Sequence, residues 1–112
     1  MESKIAVRRL SALAQDSRLS VFRLLVKAGT EGMAAGDIAK ALGVPANTLS
    51  AQLNILSIAE LISSRRDGRS IIYSAEFENM GELMVYLVED CCQGHEDVCQ
   101  PLTDVTERIA CC

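Results

Sequence analysis

Two helical patterns meet across only four residues, Gly43-Val44-Pro45-Ala46, and that junction limits the possible folds more than any other feature of the chain. Before it, Ile38 and Leu42 stand four apart in a short helix expected over about 35–42 and stopped by Gly43. After it, Leu49, Leu53 and Leu56 recur at i, i+4 and i+7 in a helix that starts near Ala46. Such spacings place apolar side chains on one helical face. The residues between are too few for anything but a tight turn, and two helices joined in this way form a helix-turn-helix.

Downstream, the apolar period falls from about 3.6 to about 2. Leu61-Ile62-Ser63-Ser64-Arg65-Arg66 and Arg69-Ser70-Ile71-Ile72-Tyr73-Ser74 flank Asp67-Gly68. Asp-Gly between strand-like runs signals a β-hairpin, because glycine accepts the positive φ of such turns. Upstream, Ile5, Leu10, Leu13 and Ala14 indicate a first helix over about 4–15. Asp16-Ser17 offers an N-cap for a second helix carrying Leu19, Phe22, Leu25 and Val26, closed by Gly29. A last helix is expected over about 76–92, ending near Gln93-Gly94, with Phe77, Met80, Leu83, Met84, Leu87, Val88 and Cys91 on a wide apolar face. The sum is a mainly α fold with a small β-hairpin, a winged helix-turn-helix.

A chain of 112 residues is one domain in size, and its 49% hydrophobic content is ample for a core. The segment Met1-Glu2-Ser3-Lys4-Ile5-Ala6-Val7-Arg8-Arg9 is charged and unlike a signal peptide, and no apolar run reaches a membrane-spanning length. The expectation is a cytoplasmic protein with no membrane partner. In that compartment clustered cysteines more often bind metals or act in redox chemistry than form structural disulfides.

The net charge of −4 is unevenly divided. Residues 1–74 hold ten lysines and arginines against six acids, a balance of +4, whereas residues 75–112 hold one arginine against nine acids, a balance of −8. That division suits a basic DNA-facing body with an acidic region turned away from it. In a helix-turn-helix the second helix enters the major groove. Opposite its leucine stripe stand Asn47, Thr48, Ser50, Ala51, Gln52 and Asn54, side chains able to read bases or take phosphate contacts. Arg65, Arg66 and Arg69 at the hairpin tip suit phosphates or the minor groove. Three arginines around one turn exceed what protection of a strand edge requires.

Ala12-Leu13-Ala14-Gln15-Asp16-Ser17-Arg18-Leu19, the run Thr48-Leu49-Ser50-Ala51-Gln52-Leu53-Asn54-Ile55-Leu56 and the Arg-Asp-Gly-Arg hairpin resemble the ArsR/SmtB family of metal- and metalloid-responsive repressors. The resemblance covers about residues 5–92. It implies a homodimer built on the first and last helices, paired recognition helices on double-stranded operator DNA of near-twofold symmetry, and release of that DNA by an inducer. Residues 1–92 are then the DNA-binding and dimerisation domain, and 93–112 a cysteine-bearing C-terminal tail. Three positions depart from the family pattern. Many relatives have His where this chain has Gln52 and Gly where it has Glu60, and the third-helix cysteine motif of arsenic sensors is replaced by the thiol-free Gly32-Met33-Ala34-Ala35-Gly36-Asp37-Ile38.

An inducer site must then lie elsewhere, and all five cysteines fall in the last 22 residues: Cys91, Cys92, Cys99, Cys111 and Cys112. Cys91 and Cys92 close the last helix, and Cys99 follows across Gln93-Gly94-His95-Glu96-Asp97-Val98. Three thiolates form a soft site. As(III) or Sb(III) takes three sulfurs in a pyramid, so Cys91, Cys92 and Cys99 suffice for either as inducer. Zinc or cadmium takes a fourth ligand, which His95, the single histidine, offers, and a redox disulfide switch is a further possibility. Cys111 and Cys112 stand as a spare ligand pair, a capture site or an inert end. A reading from another class makes the chain a metal-buffering or metallochaperone protein. No Gly-rich phosphate loop or basic cluster neighbours any cysteine, so the chain does not read as an enzyme.

Overall fold

The computed structural model describes residues 1–89 together with Pro101, Asp104, Val105 and Arg108. Its elements run α1 (Ser3–Leu13), α2 (Asp16–Ala28), a 3₁₀ turn (Gly29–Glu31), β1 (Met33–Ala34), α3 (Ala35–Leu42), α4 (Ala46–Ile58), β2 (Ile62–Asp67), β3 (Ser70–Ala75) and α5 (Phe77–Val88).

The leucine stripe of α4 defines the centre. Leu49, Leu53 and Leu56 are buried against Val21, Phe22 and Leu25 of α2, Ile38 of α3, and Leu61, Ile62 and Ala75 around the sheet. Gly43, in the left-handed conformation at φ 66°, ends α3, and the chain re-enters a helix at Ala46. The helix-turn-helix and the wing after it form as the sequence predicts. Val21 and Phe22, four and three residues before Leu25, give α2 its inward face, and Gly29 closes it at φ 72°.

Three local expectations are corrected. The N-cap of α2 is Gln15, whose side-chain oxygen accepts from the Arg18 amide at 2.9 Å, and Asp16 is already helical. In the hairpin, Asp67 pairs with Ser70, so the two-residue turn is Gly68-Arg69, one position later than Asp67-Gly68. Positive φ at Gly68, 64°, but not at Arg69 matches a type II′ turn with glycine first. Finally, the sheet has three strands in the order β1-β3-β2: Met33 pairs with Tyr73 and Ala34 with Ile72. Two residues are too short for a period to register in the sequence. Gly32, at φ 72°, precedes this strand where any Cβ would collide with the Tyr73 carbonyl, so the close approach of the added strand requires glycine.

The last helix ends at Val88, with Glu89 extended after it, short of the expected boundary at 92. Leu83 is its one buried residue, while Phe77, Met84, Val85, Leu87 and Val88 are exposed. The wide apolar face exists, and the described residues do not cover it. Cys91, Cys92, His95, Cys99, Cys111 and Cys112, and the stop at Gln93-Gly94, lie outside the described residues. Of the residues described beyond Glu89, Pro101, Asp104, Val105 and Arg108 are helical.

Candidate nucleic-acid interface

The outer face of α4 is built by subtraction. Once Leu49, Leu53 and Leu56 turn inward, Asn47, Thr48, Ser50, Ala51 and Asn54 are left exposed on the opposite side. Pro45 precedes the helix without a side-chain cap, so the first-turn N–H groups and their partial positive charge face outward beside Asn47 and Thr48. Donors, acceptors and a methyl thus share one surface, as major-groove reading requires. Exposed Ile55 and Ile58 extend that surface toward the C-terminal end of the helix.

Gln52 is placed differently from the other five. It is half-buried, and its Oε1 accepts from Arg18 Nη1 at 3.2 Å. Arg18 in turn donates through Nε to the Ala12 carbonyl at 2.6 Å and through Nη2 to the Ser11 carbonyl at 3.4 Å. One guanidinium therefore ties the end of α1 to α4, and Gln52 is the receiving side chain. Because a guanidinium only donates, chemistry fixes the amide with oxygen toward Arg18 and nitrogen away from it. The sequence shows Arg18 as one more basic residue and gives no sign of this role.

The wing places its arginines unequally. Arg65, on the outer strand β2, donates to the Glu31 carbonyl at 2.7 Å, bracing the hairpin against the 3₁₀ turn. Arg66 and Arg69 are exposed and have no hydrogen-bond or ion-pair partner among the described residues. These two are the guanidiniums free to meet a phosphate or a minor groove. No group of three or more His, Cys, Asp or Glu side chains able to hold a metal ion occurs among the described residues. Among the same residues, no helix is long and apolar enough to cross a membrane.

A helix-turn-helix with a polar outer helix, followed by an arginine-tipped wing, defines a winged-helix DNA-binding transcription regulator. A helix-turn-helix domain family matches residues 13–65. The nodulation protein NolR of Rhizobium meliloti is 39% identical over 74 residues, 66% of this chain but 58% of that protein's length, so the chain spans less than two thirds of that relative. The transcriptional repressor SdpR of Bacillus subtilis is 32% identical over 87 residues, covering 78% of this chain and 93% of that one. A solution NMR structure of the homodimeric winged helix-turn-helix DNA-binding domain of a possible ArsR-family transcriptional regulator from Mycobacterium bovis superposes with a TM-score of 0.64. It is 31% identical and covers 78% of this chain and 80% of its own. The chain belongs to the ArsR/SmtB family of winged-helix transcriptional regulators.

Glu60 follows directly on Ala59, the C-cap of α4. Its φ is 61°, and it is the one non-glycine at positive φ among the described residues. That left-handed turn carries the chain from α4 into β2, a conformation in which glycine is relaxed and glutamate is not.

Proposed function

We propose that the chain is a homodimeric cytoplasmic repressor that occupies operator DNA of near-twofold symmetry and leaves it when As(III) or Sb(III) binds Cys91, Cys92 and Cys99. The observation that carries this reading is positional. The soft ligands of the chain follow directly on α5, and α5 presents an uncovered apolar face of Met84, Val85, Leu87 and Val88. An exposed face of that kind favours a second copy of the chain, and Val7 and Leu10 of α1, a helix in contact with α5, are exposed as well. The homodimeric Mycobacterium bovis relative and the repressor from Bacillus subtilis support the assembly and the direction of control.

The donor set fits the ion. Three thiolates match a soft, three-coordinate metalloid, and the body of the chain offers no competing cluster among its described residues. In the operator complex, Asn47, Thr48, Ser50, Ala51 and Asn54 meet base edges, while Arg66 and Arg69 hold phosphates. Gln52 serves from the rim through its outward amide nitrogen, and Arg65 sets the angle of the wing. A coupling of about 1–3 kcal/mol between the thiol site and DNA weakens binding roughly 5- to 150-fold, enough to switch a promoter.

The test is a release titration on the DNA upstream of the protein's own gene. Replacing Cys91, Cys92 or Cys99 by Ser is expected to leave operator binding intact and abolish As(III)-driven release. Normal release in all three variants sinks the assignment. His95, between Cys92 and Cys99, favours a second reading, a Cys₃His zinc or cadmium site. Release by Zn(II) or Cd(II) rather than As(III), lost in His95→Ala, would establish it, and release by an oxidant alone would mark a thiol switch. Failure to shift any upstream DNA would leave metal buffering as the surviving function.

A further inference from the structure

Arg9 is the one buried polar or charged residue among the described residues, with 4% of its surface exposed. It stands in the middle of α1, and every partner it has lies on another element. Nε donates to the carbonyl of Ala59, the C-cap of α4, at 3.2 Å. Nη1 donates to the carbonyl of Asn79, in the first turn of α5, also at 3.2 Å. The carboxylates of Glu82 and Glu60 lie at 3.6 and 3.9 Å, both largely exposed. A fifth link closes the ring, because Asn79 Nδ2 donates to the Glu60 carbonyl at 2.8 Å.

A cation buried to this extent is held by its acceptors. The guanidinium is planar, so its two carbonyl partners must stay near its plane and within hydrogen-bond reach together. If the start of α5 shifts by about an ångström while α4 does not, one acceptor is lost and a buried charge is left short, a state the fold resists. The alternative is for the end of α4 to follow. Apart from the ring around Arg9, α5 is attached by buried Leu83, by half-buried Met80 and through its N-cap Glu76, whose N–H donates to the Leu61 carbonyl at 2.8 Å.

We infer that Arg9 is the positioning residue that couples α5 to the recognition helix. A displacement of α5 is carried through Arg9 to Ala59, α4 pivots about its C-terminal end, and Asn47, Thr48 and Ser50 at its far end move out of register with the groove. This rests on the reading of α5 as the helix that carries the inducer site, and it supplies the path from that site to DNA. Complementation of the negative end of the α4 dipole by the same cation adds to the tie.

The experiment uses the full chain as parent, Arg9→Lys and Asn79→Ala. Lysine keeps the charge but cannot hold two carbonyls in one plane, and Asn79→Ala opens the ring at its exposed edge without burying a lone charge. In the first arm, without inducer, amide hydrogen exchange is followed over residues 55–59. Both variants are expected to speed exchange there severalfold, although Asn79 lies on another helix. Exchange at the parent's rate in both overturns the inference, whatever As(III) does.

In the second arm, operator affinity is measured by fluorescence anisotropy with and without As(III), and As(III) loading by thiolate charge-transfer absorbance. Arg9→Lys is expected to load As(III) like the parent while its release factor falls from about 5–150-fold to under about threefold. Loading and release both equal to the parent's overturn the inference. A parent that binds DNA and does not respond to As(III) refutes the metalloid reading instead, and the first arm still decides the joint. If Arg9→Lys fails to fold, Asn79→Ala carries both arms, with a severalfold smaller release factor expected and an unchanged one counting against the inference.

Discussion

Helices α4 and α5 are nearly equal in length, 13 and 12 residues, and both are rich in leucine and its relatives, yet they dispose of that surface in opposite ways. In α4 the leucines are spent inside the chain and the polar side is presented outward. In α5 only Leu83 goes inside, and Val85 and Leu87 remain 59% and 53% exposed. The difference separates two jobs. On the function proposed above, the helix that enters a groove has its apolar side covered by its own fold, whereas the helix that meets a second copy leaves it open. Charge is divided along the chain too, with a balance of +4 over residues 1–74, three of whose arginines sit on the wing, and −8 over residues 75–112.

The sharpest way to break this comparison is to damage each helix at its apolar face. Leu56→Ala, at a fully buried site of α4, is expected to cost about 2–5 kcal/mol of stability. Urea unfolding followed by circular dichroism checks it, and the loss should be the same at any protein concentration. Val85→Glu and Leu87→Glu on α5 are expected to spare the protomer and raise the dimer dissociation constant roughly 10- to 100-fold, equivalent to about 1.4–2.8 kcal/mol. Sedimentation equilibrium reads this, and an unchanged mass would mean that the face is covered in some other way.

The wing sharpens the contrast between free and committed cations. Arg66→Ala and Arg69→Ala should each lower the salt slope of operator binding by about 1, because each removes a phosphate contact. Arg65→Ala should lower that slope less, since its guanidinium is already bonded to Glu31. A titration between low and moderate salt separates the three. The smallest expected effect is a gain: Glu60→Gly relieves a left-handed glutamate and should stabilise by up to about 1 kcal/mol in thermal melts, reduced by loss of the weak contact to Arg9.

The sequence made the helix-turn-helix and the wing readable because their signals are local. Three leucines at helical spacing, a glycine stop and a glycine turn each act within a few residues. What escaped it was set by tertiary contact. Met33-Ala34 becomes a strand only because β3 lies alongside, and the two-residue turn moved to Gly68-Arg69 because pairing runs through Asp67. Gln15 displaced Asp16 as the cap because its longer side chain reaches the Arg18 amide from one position earlier. Arg8 and Arg9 are indistinguishable as letters, and only the positions of Ala59 and Asn79 decide which is buried. The reading of Gln52 as an outward base reader met Arg18, which lies 34 residues away. The thiol assignment rests on the chemistry of its residues and on where α5 ends.

The short strand β1 has one more effect. Ala34 passes directly into α3 at Ala35 with no intervening residue, and Ala34 is hydrogen-bonded to the central strand of the wing. The wing and α3, the first helix of the helix-turn-helix, are therefore joined with no hinge between them. Their separation is set before DNA arrives, so an operator whose grooves are spaced differently must itself bend or narrow to fit, and sequences that deform readily gain affinity at positions no side chain touches.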